Sequence, residues 1–357
     1  MAETVLVTGG AGFFGSALSI SLKRNLVGAE VIALDNLHRR GAELNLPRLG
    51  AAGVRFVHAD VRSLADLERV RPAPSIIIEA SAEPSAQAGY DGDSTYLIQS
   101  NLFGSFHSLE MARRTGAKFI FLSSSRVYPY SALNGLPFVE EETRYRFDSR
   151  QTVAGASAIG ISESFPLKGP RSLYGMTKLA AELMVEEYGD AYGLQFIIDR
   201  FGLITGPRQM ARSDQGVLAL WMGAHYFRRP LVYIGFGGGG KQVRDFLHVD
   251  DCCDLLLDQV RNFELYQGSR FNAGGGATHS LSLRETTALC REISGNQIEI
   301  SSSNESRPAD VRIYISDARQ VMSINGWRPW RDARKTLGDI HQWLREEEDQ
   351  VRSVLFG

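Results

Sequence analysis

Residues 4–16 read TVLVTGGAGFFGS, an apolar β-branched run that leads directly into a glycine-rich turn. Such a run is typical of a buried parallel strand, and the residues from Ser16 to Arg24 have the pattern of a helix. The glycines Gly9, Gly12 and Gly15 permit a tight turn and let backbone N–H groups approach a pyrophosphate at the helix N-terminus. The stretch therefore predicts a dinucleotide-binding strand–turn–helix at the chain start.

An acidic residue further along the chain fits this prediction. The second apolar run, residues 31–34, ends in Asp35, which is placed to accept hydrogen bonds from an adenosine ribose. A carboxylate at this position repels the 2′-phosphate of NADP, so we expect NAD as the cofactor. Arg39 and Arg40 follow closely and leave NADP open as an alternative.

Strand and helix patterns alternate along the rest of the chain. Further strands are predicted at 54–58, 75–79, 118–122, 194–200 and 270–272, and helices at 63–70, 97–115, 174–192, 281–293, 318–324 and 330–348. This alternation predicts an α/β fold, a doubly wound parallel sheet of Rossmann type with a smaller C-terminal α/β domain. Ligands then bind at the carboxyl ends of the strands. We expect residues 1–200, with a return segment at about 244–275, in the dinucleotide-binding domain and residues 201–243 and 276–357 in the smaller domain.

The composition excludes several classes of protein. The chain has 357 residues, of which 43% are hydrophobic, and its net charge of −2 lacks the basic excess of a nucleic-acid-binding protein. Its three cysteines make neither a disulfide framework nor a metal site, which favours a reducing compartment. The N-terminus lacks a basic region, and no apolar run is long enough to span a bilayer. We therefore expect a soluble cytoplasmic protein without metal, nucleic-acid partner or membrane association.

A tyrosine and a lysine form the first candidate catalytic pair. Residues 172–178 read SLYGMTK and open a long amphipathic run. On a helix, Tyr174 and Lys178 lie one turn apart on one face. A free phenol ionises only near pH 10, but an ammonium group held close to it favours the phenolate, so such a pair can transfer protons at neutral pH. The alternative is a half-buried tyrosine beside a solvated lysine.

A serine at the end of the fifth predicted strand is a second candidate. Ser124 lies where ligands collect in such sheets, and its hydroxyl could donate a hydrogen bond to a substrate oxygen. Capping of the following turn explains a serine there equally well.

Together, the glycine turn, Ser124 and the Tyr174/Lys178 pair resemble the extended short-chain dehydrogenase/reductase family of nucleotide-sugar epimerases and dehydratases, over essentially the whole chain. The resemblance implies that Ser124, Tyr174 and Lys178 are catalytic, that NAD stays bound, and that the substrate is a nucleotide-diphosphate sugar held by the smaller domain. It implies cofactor contacts from Gly9, Gly12, Phe13, Phe14, Gly15, Asp35, Asn36, Asp60, Val61, Ala80, Ser81, Ala82, Asn101, Tyr174 and Lys178. It implies substrate contacts from Ser124, Ser125, Arg126, Gln209, Arg244 and Arg307. For Arg244 and Arg307, a surface ion pair is the alternative to phosphate binding.

The resemblance also bears on assembly. In the family, helices that match 97–115 and 174–192 pair across a two-fold axis, so we expect a homodimer. The alternative is that both helices are buried within the monomer.

Local departures from the family pattern narrow the expected reaction. Sugar 4,6-dehydratases carry an Asp-Glu pair directly after the hydroxyl residue, where this chain has Ser125-Arg126, so elimination of water is disfavoured. The runs SSSRVY at 123–128, ISE at 161–163 and GKQVRD at 240–245 are most similar to the CDP-paratose (CDP-tyvelose) 2-epimerase branch. We therefore expect a CDP-sugar 2-epimerase that works by transient oxidation. The alternatives are a UDP-hexose 4-epimerase, an NAD-dependent keto-sugar oxidoreductase and a regulatory protein with idle catalytic residues.

Overall fold

A computed structural model of the chain describes residues 3–90, 92–212 and 215–355. Within these ranges, no helix combines the length and the apolar character that crossing a membrane requires.

The strands and helices alternate as predicted. In chain order the strands are β1 (Thr4–Thr8), β2 (Glu30–Asp35), β3 (Arg55–His58), β4 (Ile76–Glu79), β5 (Lys118–Ser124), β6 (Phe138–Glu140), β7 (Tyr145–Phe147), β8 (Ala156–Ser157), β9 (Gly160–Ile161), β10 (Phe196–Phe201), β11 (Leu203–Thr205), β12 (Leu231–Ile234), β13 (Val243–His248), β14 (Ser269–Ala273), β15 (Ser280–Ser282), β16 (Ile300–Ser303) and β17 (Ile313–Tyr314). The α-helices are α1 (Phe13–Asn25), α2 (Leu46–Ala51), α3 (Leu64–Leu67), α4 (Thr95–Ile98), α5 (Gly104–Thr115), α6 (Tyr130–Asn134), α7 (Leu173–Tyr192), α8 (Val217–Tyr226), α9 (Val249–Arg261), α10 (Phe263–Tyr266), α11 (Leu283–Ser294), α12 (Arg319–Asn325), α13 (Ala333–Glu346) and α14 (Glu348–Leu355).

A seven-stranded sheet is built from strands that lie between residues 4 and 273. Its order is β14-β10-β5-β4-β1-β2-β3, and the pairs from β3 to β5 are parallel. The strand order reverses between β1 and β4, which is the topological switch point of a doubly wound fold. The predicted fold class is therefore confirmed, and the carboxyl ends of β1, β4 and β5 lie side by side.

A continuous apolar core covers one face of this sheet. It joins strand residues such as Ile77 and Phe119 to Leu109 of α5 and Val185 of α7, all 0% exposed. This packing fixes α7 against the sheet and with it the helix turn that carries Tyr174 and Lys178.

Two compact units divide the chain. The first comprises Met1–Ser124, Leu173–Arg200 and Cys252–Phe271, and the second comprises Ser125–Ser172, Phe201–Asp251 and Asn272–Gly357. The second unit contains a sheet in the order β11-β13-β15 with β17 beside β13, a β12–β16 pair, and a core among α8, α11 and α13.

These units differ from the predicted domain bounds at residues 125–172, at residues 244–251 and at the end of the return segment, residues 272–275. Residues 125–172 group with the second unit, where the Tyr128 hydroxyl donates to Asn272 Oδ1 at 2.8 Å and the Asn272 amide donates to Glu163 at 2.6 Å. Residues 244–251 also belong to the second unit, because β13 pairs with β11, β15 and β17. Both groupings depend on contacts between residues far apart in sequence, which local patterns do not reveal.

Candidate active site

The glycine turn between β1 and α1 leaves a helix N-terminus open to an anion. Gly12 caps α1 with extended backbone and no side-chain hydrogen bond, and the first turn holds no acidic residue. Gly9 has φ of +64°, and a Cβ on Gly15 would lie 2.1 Å from the Gly9 carbonyl oxygen. Because no side chain caps the helix, its N-terminus and the positive end of its dipole are left for a ligand, which fits the pyrophosphate of NAD.

Asp35 braces this turn from the end of β2. Its Oδ2 accepts from the Ala11 amide at 3.1 Å and its Oδ1 from the Leu37 amide at 2.8 Å. Burial raises the pKa of the Asp35 carboxyl, although these backbone donors oppose the effect. The carboxylate thus holds the turn in shape, and its contact with an adenosine ribose stays a prediction.

Two of the predicted cofactor-binding residues, Asn36 and Asp60, are joined to each other. Asn36 Nδ2 donates to Asp60 at 3.0 Å, and Arg62 donates to the same carboxylate at 2.7 Å. Burial alone would raise the pKa of Asp60, but the donors from Arg62 and Asn36 outweigh it and hold that pKa at about 2. The next residue, Val61, is buried.

Asn101 ties the loop after β4 to α7. It lies in a π-helical segment, Gln99–Phe103, that interrupts the predicted helix 97–115, and such segments are frequent at functional sites. Its side chain accepts from the Glu83 amide at 2.7 Å and donates to Thr177 Oγ1 at 3.2 Å. Upstream in the same loop, the amides of Ala80 and Ser81 donate to Thr8 Oγ1.

The three predicted catalytic residues all lie in the first unit. Tyr174 and Lys178 occupy the first turns of α7, and Ser124 is the last residue of β5. Lys178 Nζ donates to the Leu122 carbonyl oxygen at 2.8 Å, so its ammonium reaches the backbone two residues before Ser124. Burial lowers the pKa of Lys178 to about 8, and the carboxylates of Glu79 and Glu182 oppose this effect. The solvated lysine of the alternative interpretation is excluded, because Lys178 is 2% exposed.

A buried ion pair beside these residues was not predicted. Arg200 donates to both oxygens of Glu182, at 2.9 and 2.6 Å, and Ser123 Oγ donates to Glu182 at 2.5 Å. The network therefore ties α7, β5 and β10 together next to Ser124. Glu182 lies four residues after Lys178, so the helical period that joins Tyr174 to Lys178 could have indicated it.

Two predicted substrate arginines converge on one loop of the second unit. Arg126 Nη1 donates to the Ala309 carbonyl oxygen at 3.0 Å, and Arg244 Nη2 donates to Asp310 at 2.9 Å. Burial lowers the pKa of Arg244 to about 10, and the positive charge of Arg126 acts in the same direction against the carboxylate of Asp310. Guanidinium groups gathered in this way suit a phosphate. Arg307 begins the same loop and is partly exposed.

The other two predicted substrate residues, Ser125 and Gln209, differ in how far their side chains are accessible to a ligand. Ser125 opens a 3₁₀ turn, Ser125–Val127, and is partly exposed. Gln209 is buried, and its amide accepts from Thr205 Oγ1 at 3.0 Å and donates to the Ile204 carbonyl at 3.0 Å. Its side chain is thus engaged within the fold, which weakens the case for Gln209 as a ligand contact.

Comparison with known proteins agrees with this geometry. Residues 5–274 match the model of a family described as the NAD dependent epimerase/dehydratase family. The chain is 30% identical to CDP-paratose 2-epimerase of Salmonella typhi over 95% of this chain and 98% of that protein. It is 28% identical to UDP-glucose 4-epimerase of Halalkalibacterium halodurans over 96% of each. Among solved structures, UDP-glucose 4-epimerase of Thermus thermophilus in complex with NAD superposes with a TM-score of 0.77 and 27% identity, over 96% of this chain and 99% of that one.

Proposed function

The chain belongs to the NAD-dependent epimerase/dehydratase family, and we propose that it is an epimerase that inverts a hydroxyl-bearing centre of a nucleotide-diphosphate sugar. The family and the cofactor predicted from the sequence are confirmed, so the chain is an NAD-dependent enzyme. The substrate we propose is a CDP-sugar inverted at C2. The likeness to CDP-paratose 2-epimerase and the local runs at 123–128 and 240–245 support this choice.

One observation carries the proposal of acid–base chemistry. Lys178 is buried on the tyrosine's helix, and its ammonium is held at the end of the strand that carries Ser124. In this arrangement Tyr174, as phenolate, removes the proton from a sugar hydroxyl and later returns it. Ser124 donates a hydrogen bond to the same oxygen as its charge changes, and the Lys178 ammonium favours the phenolate.

The Gly9–Gly15 turn, Asp35 and the loop at 80–82 would hold NAD, which would supply a reversible hydride acceptor. Return of the hydride to the opposite face of the carbon would give inversion without net redox change. Ser125 and Arg126 follow Ser124 where a dehydratase needs an acid and a base. This difference favours epimerisation over elimination.

In the second unit, Arg126, Arg244 and Arg307 are the groups we assign to the substrate diphosphate.

The proposal is tested by NMR of the purified protein with a panel of CDP- and UDP-sugars. We expect one CDP-sugar to show an inverted C2 centre and no free NADH to accumulate. Inversion at C4 of a UDP-hexose would instead identify a UDP-hexose 4-epimerase, the alternative that the likeness to UDP-glucose 4-epimerase favours. Stoichiometric release of NADH would identify a net oxidoreductase and overturn the epimerase assignment.

We also propose a homodimer built on α7 and the start of α5. Large apolar side chains on these neighbouring elements are exposed, namely Phe103, Phe106, Met176 and Leu183. An apolar face on two packed helices is the kind of surface that a second copy covers in a two-fold dimer.

A further inference from the structure

A buried carboxylate at the end of β4 has no role in the chemistry described so far. Glu79 is 0% exposed and lies at the carboxyl end of a central strand, where ligands approach such sheets. Its Oε2 accepts from Thr8 Oγ1 at 3.2 Å and its Oε1 from Ser81 Oγ at 2.7 Å. Both donors are neutral hydroxyls, so these hydrogen bonds orient the carboxylate without supplying a positive charge.

The sheet register places Glu79 on the side of Lys178. Glu79 is the register partner of Phe121 in the parallel β4–β5 pair, and register partners direct their side chains to the same face of a sheet. The Phe121 ring centroid lies 4.8 Å from Lys178 Nζ. The face that carries Glu79 is therefore the face on which the Lys178 ammonium lies.

A count of the buried charges on this face shows which groups are paired. Glu79, Lys178, Glu182 and Arg200 are all 2% exposed or less. Arg200 holds Glu182 with a bidentate ion pair, which leaves one carboxylate and one ammonium. Burial of an ion without a counterion costs several kcal/mol, so the remaining two charges stabilise each other.

We propose that Glu79 is a positioning residue that serves as the counterion of Lys178 and keeps it an ammonium beneath Tyr174. Of the two carboxylates that oppose the effect of burial on the Lys178 pKa, Glu79 acts more strongly than Glu182. The further ionisable groups on the lysine's side of the sheet include Tyr174 and Glu182 on α7 and Arg200 on β10. Asp199, also on β10, points to the opposite side of that strand. The consequence for turnover rests on the proposed function, whereas the pairing itself does not.

The test compares thermal unfolding of the wild type and Glu79→Gln between pH 7 and about pH 9.5. Without its counterion, a buried ammonium destabilises the folded state, so we expect Glu79→Gln to have the lower Tm at pH 7. As the pH rises above the Lys178 pKa of about 8, the lysine becomes neutral in both proteins and the difference in Tm should shrink or change sign. A difference that stays constant over this range would mean that Glu79 acts only through shape and hydrogen bonds, and would overturn the proposal.

Two further variants keep the test decisive. Glu79→Asp retains the charge and should keep most of the wild-type pH dependence of Tm. In a Lys178→Met background, Glu79→Gln should no longer lower the Tm. If Glu79→Gln alone does not fold, adding Lys178→Met should restore folding. A double variant less stable than either single variant would count against the pairing. None of these measurements needs a substrate, so a failed epimerase assay would leave them interpretable.

Discussion

A single phenol group carries the proposed proton transfer. Replacing Tyr174 by Phe removes the hydroxyl and keeps the ring, so turnover should fall by about 10²–10⁴-fold while NAD stays bound. Tyr188→Phe is the matched control, because Tyr188 lies on the same helix and donates to Glu110 at 2.8 Å, away from the catalytic turn. Initial rates and mass spectrometry of the denatured protein measure both effects. A near-normal rate for Tyr174→Phe would remove this residue from the mechanism.

A second residue makes stability depend on pH. Burial raises the pKa of Asp199 from 3.8 to about 7, although a hydrogen bond from Gln259 at 2.9 Å opposes this effect. Among the described residues, neither Asp199 Oδ2 nor Gln259 Oε1 has a hydrogen-bond partner. Because the folded state holds the proton more tightly than the unfolded state does, the contribution of Asp199 to stability is present below pH 4 and is lost as the pH rises through about 7.

Asp199→Asn should therefore stabilise the protein more at pH 8 than at pH 5, with a difference of at most about 3 kcal/mol, because the pKa of about 7 lies roughly two units above pH 5. The amide keeps an acceptor for Gln259 and adds a donor without charge. Thermal unfolding of both proteins at the two pH values measures the effect. An equal change in Tm at pH 5 and pH 8 would show that Asp199 does not titrate in this range.

At the scale of elements, the β1–turn–α1 unit depends on close backbone contact. A Cβ on Gly15 would lie 2.1 Å from the Gly9 carbonyl oxygen, so Gly15→Ala must displace the turn and weaken NAD binding by at least about tenfold. Gly50→Ala is the control, since Gly50 lies in α2 with open space around its Cβ position. The NAD content of the purified variants and their titration with NAD provide the measurement. Unchanged NAD binding in Gly15→Ala would mean that the turn is not the pyrophosphate site.

Elements with a local signal were predictable from the sequence, and those fixed by distant contacts were not. The predicted strand at 75–79 and the predicted helix at 174–192 each agree with the structure to within one residue, because apolar runs and helical periodicity belong to each segment itself. The π-helical segment at 99–103 and the hairpin β6–β7 carry no comparable pattern, and α8 is too uniformly apolar to show a periodic face. Glu79 and Arg200 escaped prediction for the same reason, since register and packing bring their charges close to those of Lys178 and Glu182.

At the scale of the whole molecule, exposed apolar side chains define the surface that we assign to a second copy. Leu183 lies in the middle of α7 and is 56% exposed, and Phe103, at the end of the π-helical segment before α5, is 52% exposed. If a second copy covers this surface, a charge there must be buried at the interface without a partner, which is costly. Leu183→Glu should therefore convert the dimer to a monomer.

The matched control is Val27→Glu, which places the same charge at a fully exposed apolar residue between α1 and β2. Analytical ultracentrifugation over a range of concentrations distinguishes the two variants. We expect the wild type and Val27→Glu to sediment as dimers and Leu183→Glu as a monomer that keeps the wild-type circular dichroism spectrum. A dimeric Leu183→Glu would place the interface elsewhere. A monomeric wild type would contradict the proposed homodimer. Because α7 also carries Tyr174 and Lys178, a loss of turnover in a folded Leu183→Glu monomer would show that assembly supports the catalytic helix.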